Sequence, residues 1–357
     1  MQKIPSLIAV AMSGGVDSSV TAALLAEQGY AVIGLTLHLW RDRQGESADP
    51  PSSLAQAGQV ARQLNIPHHV IHAVDRFKQT VVAGYLDALR RGLTPNPCVY
   101  CNHRIKWGYL WEQAQALGAD CLATGHYARL ETDPGGKVRL RKGKDAAKDQ
   151  SYFLCRLSQE QLSHTLFPLG NLTKKEVRGI AHRYQLAAAD RQESQDLCFL
   201  GDTSPTEFLL RHAPDTAIPG PITDQQGKIL GEHQGLAFYT IGQRKGIKIA
   251  GARPYYVLRK EVAENKLVIG YEDELGSREM LLTDVNWIAG GLPDKNFKAQ
   301  IKIRYRSPES WAEISPQENG QAFIRLDQPL RDITPGQIAA IYDGEYVLGG
   351  GMIMETR

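Results

Sequence analysis

The chain has 357 residues, which exceeds a typical single domain and predicts two or three domains. Its hydrophobic content of 42% and charged content of 22% indicate a globular protein, and we expect no membrane-spanning segment, no signal peptide and a cytoplasmic location. The formal net charge of +2 does not indicate a polyanion-binding protein as a whole, so any basic surface must be local.

The first predicted elements are a strand, a glycine-rich loop and a helix. The apolar run Ser6–Val10 predicts a buried parallel strand, and helical spacing begins at Asp17. Between them, Gly14 and Gly15 lack the Cβ atoms that would block the approach of a phosphate. Backbone N–H groups, serine hydroxyls and the positive end of the helix favour an anion there. The segment Ala11–Ser19 therefore predicts a phosphate site.

This loop differs from the common P-loop, which carries Lys and then Ser or Thr where this chain has Val16 and Asp17. Ser13–Ser19 resembles instead the PP-loop of the ATP pyrophosphatase superfamily. The resemblance implies adenylation of a substrate oxygen with release of pyrophosphate, and a Mg²⁺ ion held by Asp17. The ATP-binding residues that it implies are Ala11, Met12, Ser13, Gly14, Gly15, Val16, Asp17, Ser18, Leu37 and Gly125.

Strand and helix patterns alternate from residue 6 to about residue 200. Strands are predicted at 31–37, 68–74 and 121–125, and helices at 54–64 and 106–117. This alternation predicts an α/β fold with a doubly wound parallel sheet. Because ligands bind at the carboxyl ends of such strands, we expect Ser13, Leu37 and Gly125 to meet in one crevice.

The pattern changes after about residue 205. Four prolines punctuate residues 205–221, and short strands with glycine turns follow. We therefore expect a PP-loop domain at 1–204, a small central linking domain at 205–277 and a C-terminal β-barrel at 278–357.

Five cysteines, an odd number, favour reduced and chemically used thiols over a disulfide framework. Cys98 and Cys101 form a Cys-x-x-Cys pair beside two prolines, which predicts a rigid loop rather than a helix. Cys121 and Cys155 lie in apolar strings and are predicted to fill the core. The pair, with Cys198, is compatible with structural zinc (recruiting His103), a thioredoxin-like site, a plain structural loop or sulfur chemistry.

Eight segments together resemble the tRNA-uridine 2-sulfurtransferase family over the whole chain. They are Ser13–Ser19, Thr94–Asn102, Ala123–Tyr127, Lys148–Tyr152, Glu193–Gly201, Thr240–Arg244, Arg304–Arg306 and Thr334–Gln337. The resemblance implies ATP-dependent 2-thiolation of the wobble uridine, position 34, of tRNA. It also implies a sulfur-donor or relay protein, or sulfide, as a partner, and neither DNA nor a membrane.

The resemblance assigns roles to particular residues. Cys198 would carry the persulfide sulfur, and Cys101 would release it, with a disulfide to Cys198 as one outcome. Asn96, Pro97 and Cys98 would face the target base. The residues implied to contact tRNA are His126, Lys148, Asp149, Gln150, Arg304, Tyr305 and Gln337.

One position departs from the family pattern, because many members carry Asp where this chain has Cys98. The three thiols of Cys98, Cys101 and Cys198 are compatible with a [4Fe–4S] cluster that has one open iron and delivers sulfide. The persulfide relay is the alternative, and the residues leave both open.

Two basic segments admit structural as well as RNA-binding interpretations. The run of Lys and Arg between 137 and 148 is either an RNA contact or a solvated loop. Arg304–Arg306 offers charge beside a stacking ring, or else outward arginines on a barrel strand. Rival functions are another PP-loop synthetase acting on a small molecule, and an RNA-binding module with an inactive nucleotide site.

Overall fold

The computed structural model describes residues 5–40, 52–190, 197–201 and 203–356. The Glu193–Asp196 part of one family motif lies outside these ranges. In the N-terminal half the strands are β1 Ile8–Ala11, β2 Val32–His38, β3 His68–His72, β4 Cys121–Ala123, β5 Ala128–Thr132, β6 Val138–Lys142 and β7 Thr165–Leu166. The helices are α1 Val16–Glu27, α2 Ser52–Gln63, α3 Val74–Phe77, α4 Ala83–Arg90, α5 Pro97–Tyr100, α6 Trp111–Ala116, α7 Gln159–Ser163, α8 Lys174–Arg183 and α9 Pro205–His212.

The N-terminal strands form a parallel sheet in the order β3-β2-β1-β4-β7 within the described residues. Buried apolar side chains of β1, such as Ile8 and Val10, explain why this strand lies in the middle of the sheet. The order reverses beside β1, so the loop after β1 lies at the switch point where such sheets bind ligands. The predicted doubly wound α/β fold is confirmed.

The remaining strands are β8 Gly220–Thr223, β9 Ile229–His233, β10 Tyr256–Glu261, β11 Lys266–Gly270, β12 Ser277–Trp287, β13 Phe297–Lys302, β14 Ser310–Gln317, β15 Gln321–Leu330, β16 Ile338–Asp343 and β17 Tyr346–Thr356. Strands β8 to β11 form a small separate sheet. Strands β12 to β17 form a barrel that the pairing of β12 with β17 closes. Closure leaves no free edge among these six strands.

The barrel and the parallel-sheet domain share structure. The hairpin β5–β6 belongs to the N-terminal half, yet β6 pairs with β17 and extends the barrel sheet. One apolar core contains Leu110 and Tyr152 together with Ile338 and Tyr342. Tyr152 also donates its hydroxyl to the Ile338 carbonyl at 2.8 Å. Burying these side chains together stabilises the interface between the two parts of the chain.

Two helix starts near the site have strong local signals. Thr173 caps α8 and Ser204 caps α9, each in a capping box with a glutamate three residues later.

No helix in the described residues is long and apolar enough to cross a membrane.

Candidate active site

The loop between β1 and α1 is held by its own serines. The backbone N–H of Ser13 donates to Ser18 Oγ at 3.1 Å, and that hydroxyl donates to the Gly15 carbonyl at 3.1 Å. Gly14 has a φ of +73°, a conformation that residues with a Cβ rarely adopt. Gly15 is the extended N-cap of the 12-residue helix α1, whose positive end therefore faces the loop. The arrangement suits an anion.

Gly125 closes the crevice from the neighbouring strand β4. A Cβ at this position would lie 2.8 Å from the carbonyl carbon of Asp17 and 2.8 Å from the nitrogen of Ser18. Both are backbone atoms and cannot swing aside. Glycine is therefore required for the loop after β4 to pack against the start of α1.

These segments enclose a cavity of about 280 Å³. Its walls contain seven of the ten predicted ATP-binding residues, namely Ala11, Met12, Ser13, Asp17, Ser18, Leu37 and Gly125. Gly14, Gly15 and Val16 belong to the same turn and helix start but do not form its wall. The structure thus brings together the ends of β1, β2 and β4, as the sheet topology requires.

The carboxylate of Asp17, the predicted Mg²⁺ ligand, already contacts two side chains of the protein. Lys174 Nζ lies 2.8 Å and 2.9 Å from its two carboxylate oxygens, and the Tyr127 hydroxyl donates to one of them at 2.8 Å. A carboxylate is a ligand that Mg²⁺ prefers, so its chemistry fits the ion. If an ion binds at these oxygens, it must replace Lys174 as their partner.

A second cavity of about 1230 Å³ adjoins the first, because Asp17 and Gln150 line both. Its walls include the three residues predicted to face the target base and six of the seven predicted to contact tRNA. They are Asn96, Pro97, Cys98, Lys148, Asp149, Gln150, Arg304, Tyr305 and Gln337. The remaining predicted tRNA contact, His126, lines the smaller cavity instead.

Several of these side chains already have structural partners. Asp149 is buried and accepts hydrogen bonds from the N–H of Gly143 at 2.9 Å and from the hydroxyl of Ser151 at 2.9 Å. Gln150 Oε1 accepts from the Tyr127 N–H at 3.0 Å. Asp149 and Gln150 therefore shape the wall between the cavities.

The barrel supports the loop that precedes the Cys-x-x-Cys pair. Thr94 donates its N–H to the Pro335 carbonyl at 2.8 Å, and Gln337 Nε2 donates to the Thr94 carbonyl at 2.8 Å. Gly336 has a φ of +93°, and a Cβ there would lie 2.7 Å from the Thr94 nitrogen. This close approach explains why the Thr334–Gln337 motif has a glycine at position 336, and the hydrogen bond to Thr94 explains its glutamine.

Arg304 and Tyr305 line the same large cavity as that loop. Arg304 donates to the carbonyl of Ile241 at 3.1 Å and to the Thr334 hydroxyl, so it joins the barrel to the central domain. The Tyr305 ring lies 4.5 Å from that of Phe153. Two adjacent rings in a large polar cleft form a surface on which a base can stack.

The Cys-x-x-Cys pair lies in a helix, so the loop expected from the two prolines is wrong. Pro97 is the first residue of α5 after the extended Asn96, and proline is tolerated at this position because its missing N–H has no helical partner. The segment Cys101–Leu110 then continues as a π-helix before α6. The helix predicted at 106–117 therefore begins nine residues earlier.

Burial makes the thiols of this site poor acids in this conformation. It raises the pKa of Cys98, and it raises the pKa of Cys101 to about 12. Cys198 is an exposed residue, yet the protein around its thiol raises its pKa to about 11, with desolvation as the largest cause. The positive charge of Lys106 opposes each shift. Desolvation therefore outweighs the effect of the nearby cation on these thiols.

The charges of Cys98 and Cys198 both raise the pKa of Cys101. All five cysteines of the chain are free thiols, and Cys155 is buried as predicted, whereas Cys121 is partly exposed. Within the ranges that the structure describes, no three His, Cys, Asp or Glu side chains are placed so that they could hold a metal ion. As placed, the thiols fit neither zinc nor an iron–sulfur cluster.

The basic run between 137 and 148 is largely structural. Arg139 stacks on the Tyr346 ring at 3.7 Å, and Arg141 pairs with Glu131 at 2.6 Å. Lys142 pairs with Glu309 at 2.7 Å. The contacts of Arg139 and Lys142 join β6 to the barrel, and that of Arg141 joins β6 to β5, so the solvated-loop interpretation is wrong for this part of the run. Lys148 lies further along, in the wall of the large cavity.

Sequence reasoning assigned no role to three side chains of the site: Lys106 in the wall of the smaller cavity, and Tyr127 and Lys174 at Asp17. Lys106 lies five residues after Cys101, and Tyr127 two residues after Gly125, so proximity to the motifs was an available signal. Lys174 lies 157 residues from Asp17 in the chain, and its role depends on the tertiary fold.

Comparisons with known proteins agree along the chain. A family model for the tRNA methyl transferase HUP domain matches residues 6–202, and one for the tRNA methyl transferase PRC-barrel domain matches 206–271. A model for the aminomethyltransferase beta-barrel domain matches 277–353.

Two of the curated relatives carry the same name. A tRNA-specific 2-thiouridylase MnmA from Magnetococcus marinus is 46% identical over 98% of this chain and 99% of its own length. The enzyme of that name from Geotalea uraniireducens is 45% identical over 97% of this chain and 94% of its own. Among solved structures, the U34-tRNA thiolase NcsA from Methanococcus maripaludis matches with a TM-score of 0.36 and 20% identity, covering 59% of this chain and 69% of that one, which is too distant to bear on the chemistry. The identity over nearly the full length of the curated relatives shows that this chain belongs to the tRNA-specific 2-thiouridylase family.

Proposed function

We propose that this chain is a tRNA-uridine 2-sulfurtransferase that uses ATP to replace the C2 oxygen of the wobble uridine, position 34, with sulfur. The observation that carries the proposal is the junction of the two cavities. Asp17 and Gln150 line both, so a nucleotide in the smaller cavity and a base in the larger would meet at that wall. Adenylation needs such contact between the α-phosphate and the uridine oxygen.

The first step is adenylation. The C2 oxygen of uridine attacks the α-phosphorus of ATP, a P–O bond breaks, and pyrophosphate leaves. Ser13, Ser18 and the N-terminus of α1 would bind the phosphates, and Asp17 would hold a Mg²⁺ ion that offsets their charge when bound. Gly125 keeps the loop close to these groups.

The second step is sulfur transfer. A persulfide on Cys198 would attack C2, forming the C–S bond while AMP leaves with the original oxygen. The Cys101 thiolate would then attack Cys198 Sγ, releasing the sulfur to the base and leaving a Cys101–Cys198 disulfide. An external dithiol must reduce this disulfide, and a sulfur-donor or relay protein must reload Cys198. The charge of Cys198 raises the pKa of Cys101, so the two thiols share one electrostatic environment.

Asn96, Pro97 and Cys98 would face the base, and Lys148, Asp149, Gln150, Arg304, Tyr305 and Gln337 would contact the tRNA or shape its cleft. His126 is proposed to serve the nucleotide side of the junction. We keep the division into domains at 1–204, 205–277 and 278–357 as a proposal, which the extents of the three family models support.

Separate assays of the two steps test the proposal. Cys101→Ser and Cys198→Ser should retain tRNA-dependent pyrophosphate release but lose 2-thiouridine, measured by mass spectrometry of digested tRNA. Cys121→Ser provides a matched control, since this partly exposed cysteine lies on β4 away from the pair. Formation of 2-thiouridine by Cys198→Ser would refute the sulfur-carrier role. Pyrophosphate release with a small molecule but not with tRNA would favour the rival synthetase.

A further inference from the structure

The side chain of Lys106 lies between the nucleotide cavity and the cysteines. It forms part of the wall of the smaller cavity together with Ser13 and Asp17. It is also close enough for its charge to act on the thiols of Cys98, Cys101 and Cys198. One ammonium group therefore faces the places where both proposed steps develop negative charge.

The π-helix explains how Lys106 reaches this position. In an α-helix, five residues correspond to 500°, so residue i+5 would point about 140° away from residue i. A π-helix is closed by i to i+5 hydrogen bonds, so its residue i+5 lies roughly one turn above residue i. Because Cys101–Leu110 has this winding, Lys106 and Cys101 share one side of the helix.

A neighbouring histidine fixes the ammonium. Lys106 Nζ lies 3.4 Å from His126 Nε2, and His126 Nδ1 lies 2.6 Å from Thr124 Oγ1. Burial, and secondarily the charge of Lys106, hold the pKa of His126 well below its usual value. A neutral ring accepts from the ammonium at Nε2 and donates from Nδ1 to the threonine, which sets the direction of the chain of hydrogen bonds.

We propose that Lys106 is a positioning residue for both steps: its ammonium offsets the charge of the nucleotide phosphates during adenylation and that of the reacting sulfur during transfer. This inference rests on the proposed function, since both charges belong to that reaction. It adds a residue that neither the cysteine pair nor the PP-loop motif contains. It also gives the desolvated thiols a nearby cation that opposes the rise in their pKa.

Three variants test the inference. Lys106→Met removes the charge and keeps much of the length, and Lys106→Arg keeps the charge. The matched control is Arg104→Met, which removes an exposed cation from the same π-helix. The first measurement is the rate of iodoacetamide alkylation of each cysteine at one fixed pH, read by mass spectrometry without tRNA or ATP. The second is tRNA-dependent release of pyrophosphate.

We expect Lys106→Met to slow alkylation of Cys198 roughly fivefold or more, and pyrophosphate release roughly 100-fold, as for removal of one preorganised donor. Lys106→Arg should recover at least half of the alkylation rate, and Arg104→Met should leave that rate unchanged. A merely structural role would not distinguish Arg from Met in this way.

Alkylation of Cys198 at the wild-type rate in Lys106→Met would overturn the inference. If Lys106→Met unfolds, Lys106→Gln supplies the same comparison, with thermal unfolding as the check. Failure of the proposed function is a separate outcome: the wild-type chain would then release no pyrophosphate with tRNA, whereas the alkylation rates would still decide whether Lys106 acts on the thiols.

Discussion

Lys174 Nζ contacts both carboxylate oxygens of Asp17, at 2.8 Å and 2.9 Å, across 157 residues of sequence. The lysine side chain is 12% exposed and the aspartate side chain 30% exposed, so the pair is shielded from water more than a surface ion pair. The contact ties the start of α8 to the start of α1 at the nucleotide cavity. Nucleotide and metal must therefore compete with this ion pair.

Asp17→Asn is expected to abolish tRNA-dependent pyrophosphate release, because the amide carries no charge for Mg²⁺. It also leaves Lys174 without its carboxylate, so we expect a loss of roughly 1–2 kcal/mol in the free energy of unfolding. Denaturant unfolding and a pyrophosphate assay measure the two effects. Lys174→Met is the control, since it breaks the same pair but keeps the carboxylate. Normal turnover by Asp17→Asn would rule out the metal-binding role.

Gly125→Ala should impair ATP binding without adding any charge or polar group. The new Cβ would lie 2.8 Å from backbone atoms of Asp17 and Ser18, so the loop must shift. We expect a destabilisation of about 1–3 kcal/mol, typical of overpacking, and a lower ATP affinity by calorimetry. Gly179→Ala is the control, because its Cβ would meet nothing within 4 Å on α8 and should stabilise by about 0.5–1 kcal/mol. Equal ATP affinity in Gly125→Ala would contradict the packing argument.

Lys148→Ala should weaken tRNA binding by about 1 kcal/mol and reduce the salt dependence of binding by roughly one phosphate contact. Filter binding at several salt concentrations measures both, and ATP binding should persist. Arg304→Ala should also weaken binding, but it removes hydrogen bonds to Ile241 and Thr334 and should therefore lower stability as well. Unchanged tRNA affinity of Lys148→Ala at low salt would remove this residue from the proposed interface.

Cys98→Asp distinguishes the two sulfur mechanisms. In a persulfide relay the aspartate restores the common family residue, and 2-thiouridine formation should persist. In a three-cysteine cluster the same change replaces a thiolate ligand, so iron content and thiolation should both fall. Anaerobic purification with an iron assay and tRNA mass spectrometry provides the measurement. The placement of the thiols leads us to expect the first result.

Lys260 should make stability depend on pH. Burial lowers its pKa from 10.5 to about 8, and its buried Nζ has no hydrogen-bond partner among the residues that the structure describes. Because the folded pKa is the lower one, the cost is fully present below pH 8 and disappears as the pH approaches 10.5. Lys260→Met should therefore stabilise at pH 7 by up to about 3 kcal/mol and by much less at pH 10.5. Exposed Lys245→Met is the control, and a pH-independent difference for Lys260→Met would contradict the prediction.

Local sequence patterns were enough to predict the parallel sheet, the phosphate loop and the family. An apolar run before Ser13–Ser19 specifies a buried strand followed by a helix, whatever the rest of the chain does. The positions of β1, β2 and β4 then follow from topology, so the meeting of Ser13, Leu37 and Gly125 was predictable. The helix at Cys98 was not predicted, because Pro97 was read as a helix breaker rather than as a first helical residue.

Tertiary structure alone decided which charges meet. The pairing of Asp17 with Lys174 and the insertion of β6 beside β17 join residues far apart in sequence, and no local pattern encodes such contacts. The pKa values of the thiols likewise depend on desolvation by surrounding segments, which outweighs the effect of the nearby Lys106 charge. Local propensity specifies the elements, whereas burial and charge balance at the site arise from packing the three parts of the chain together.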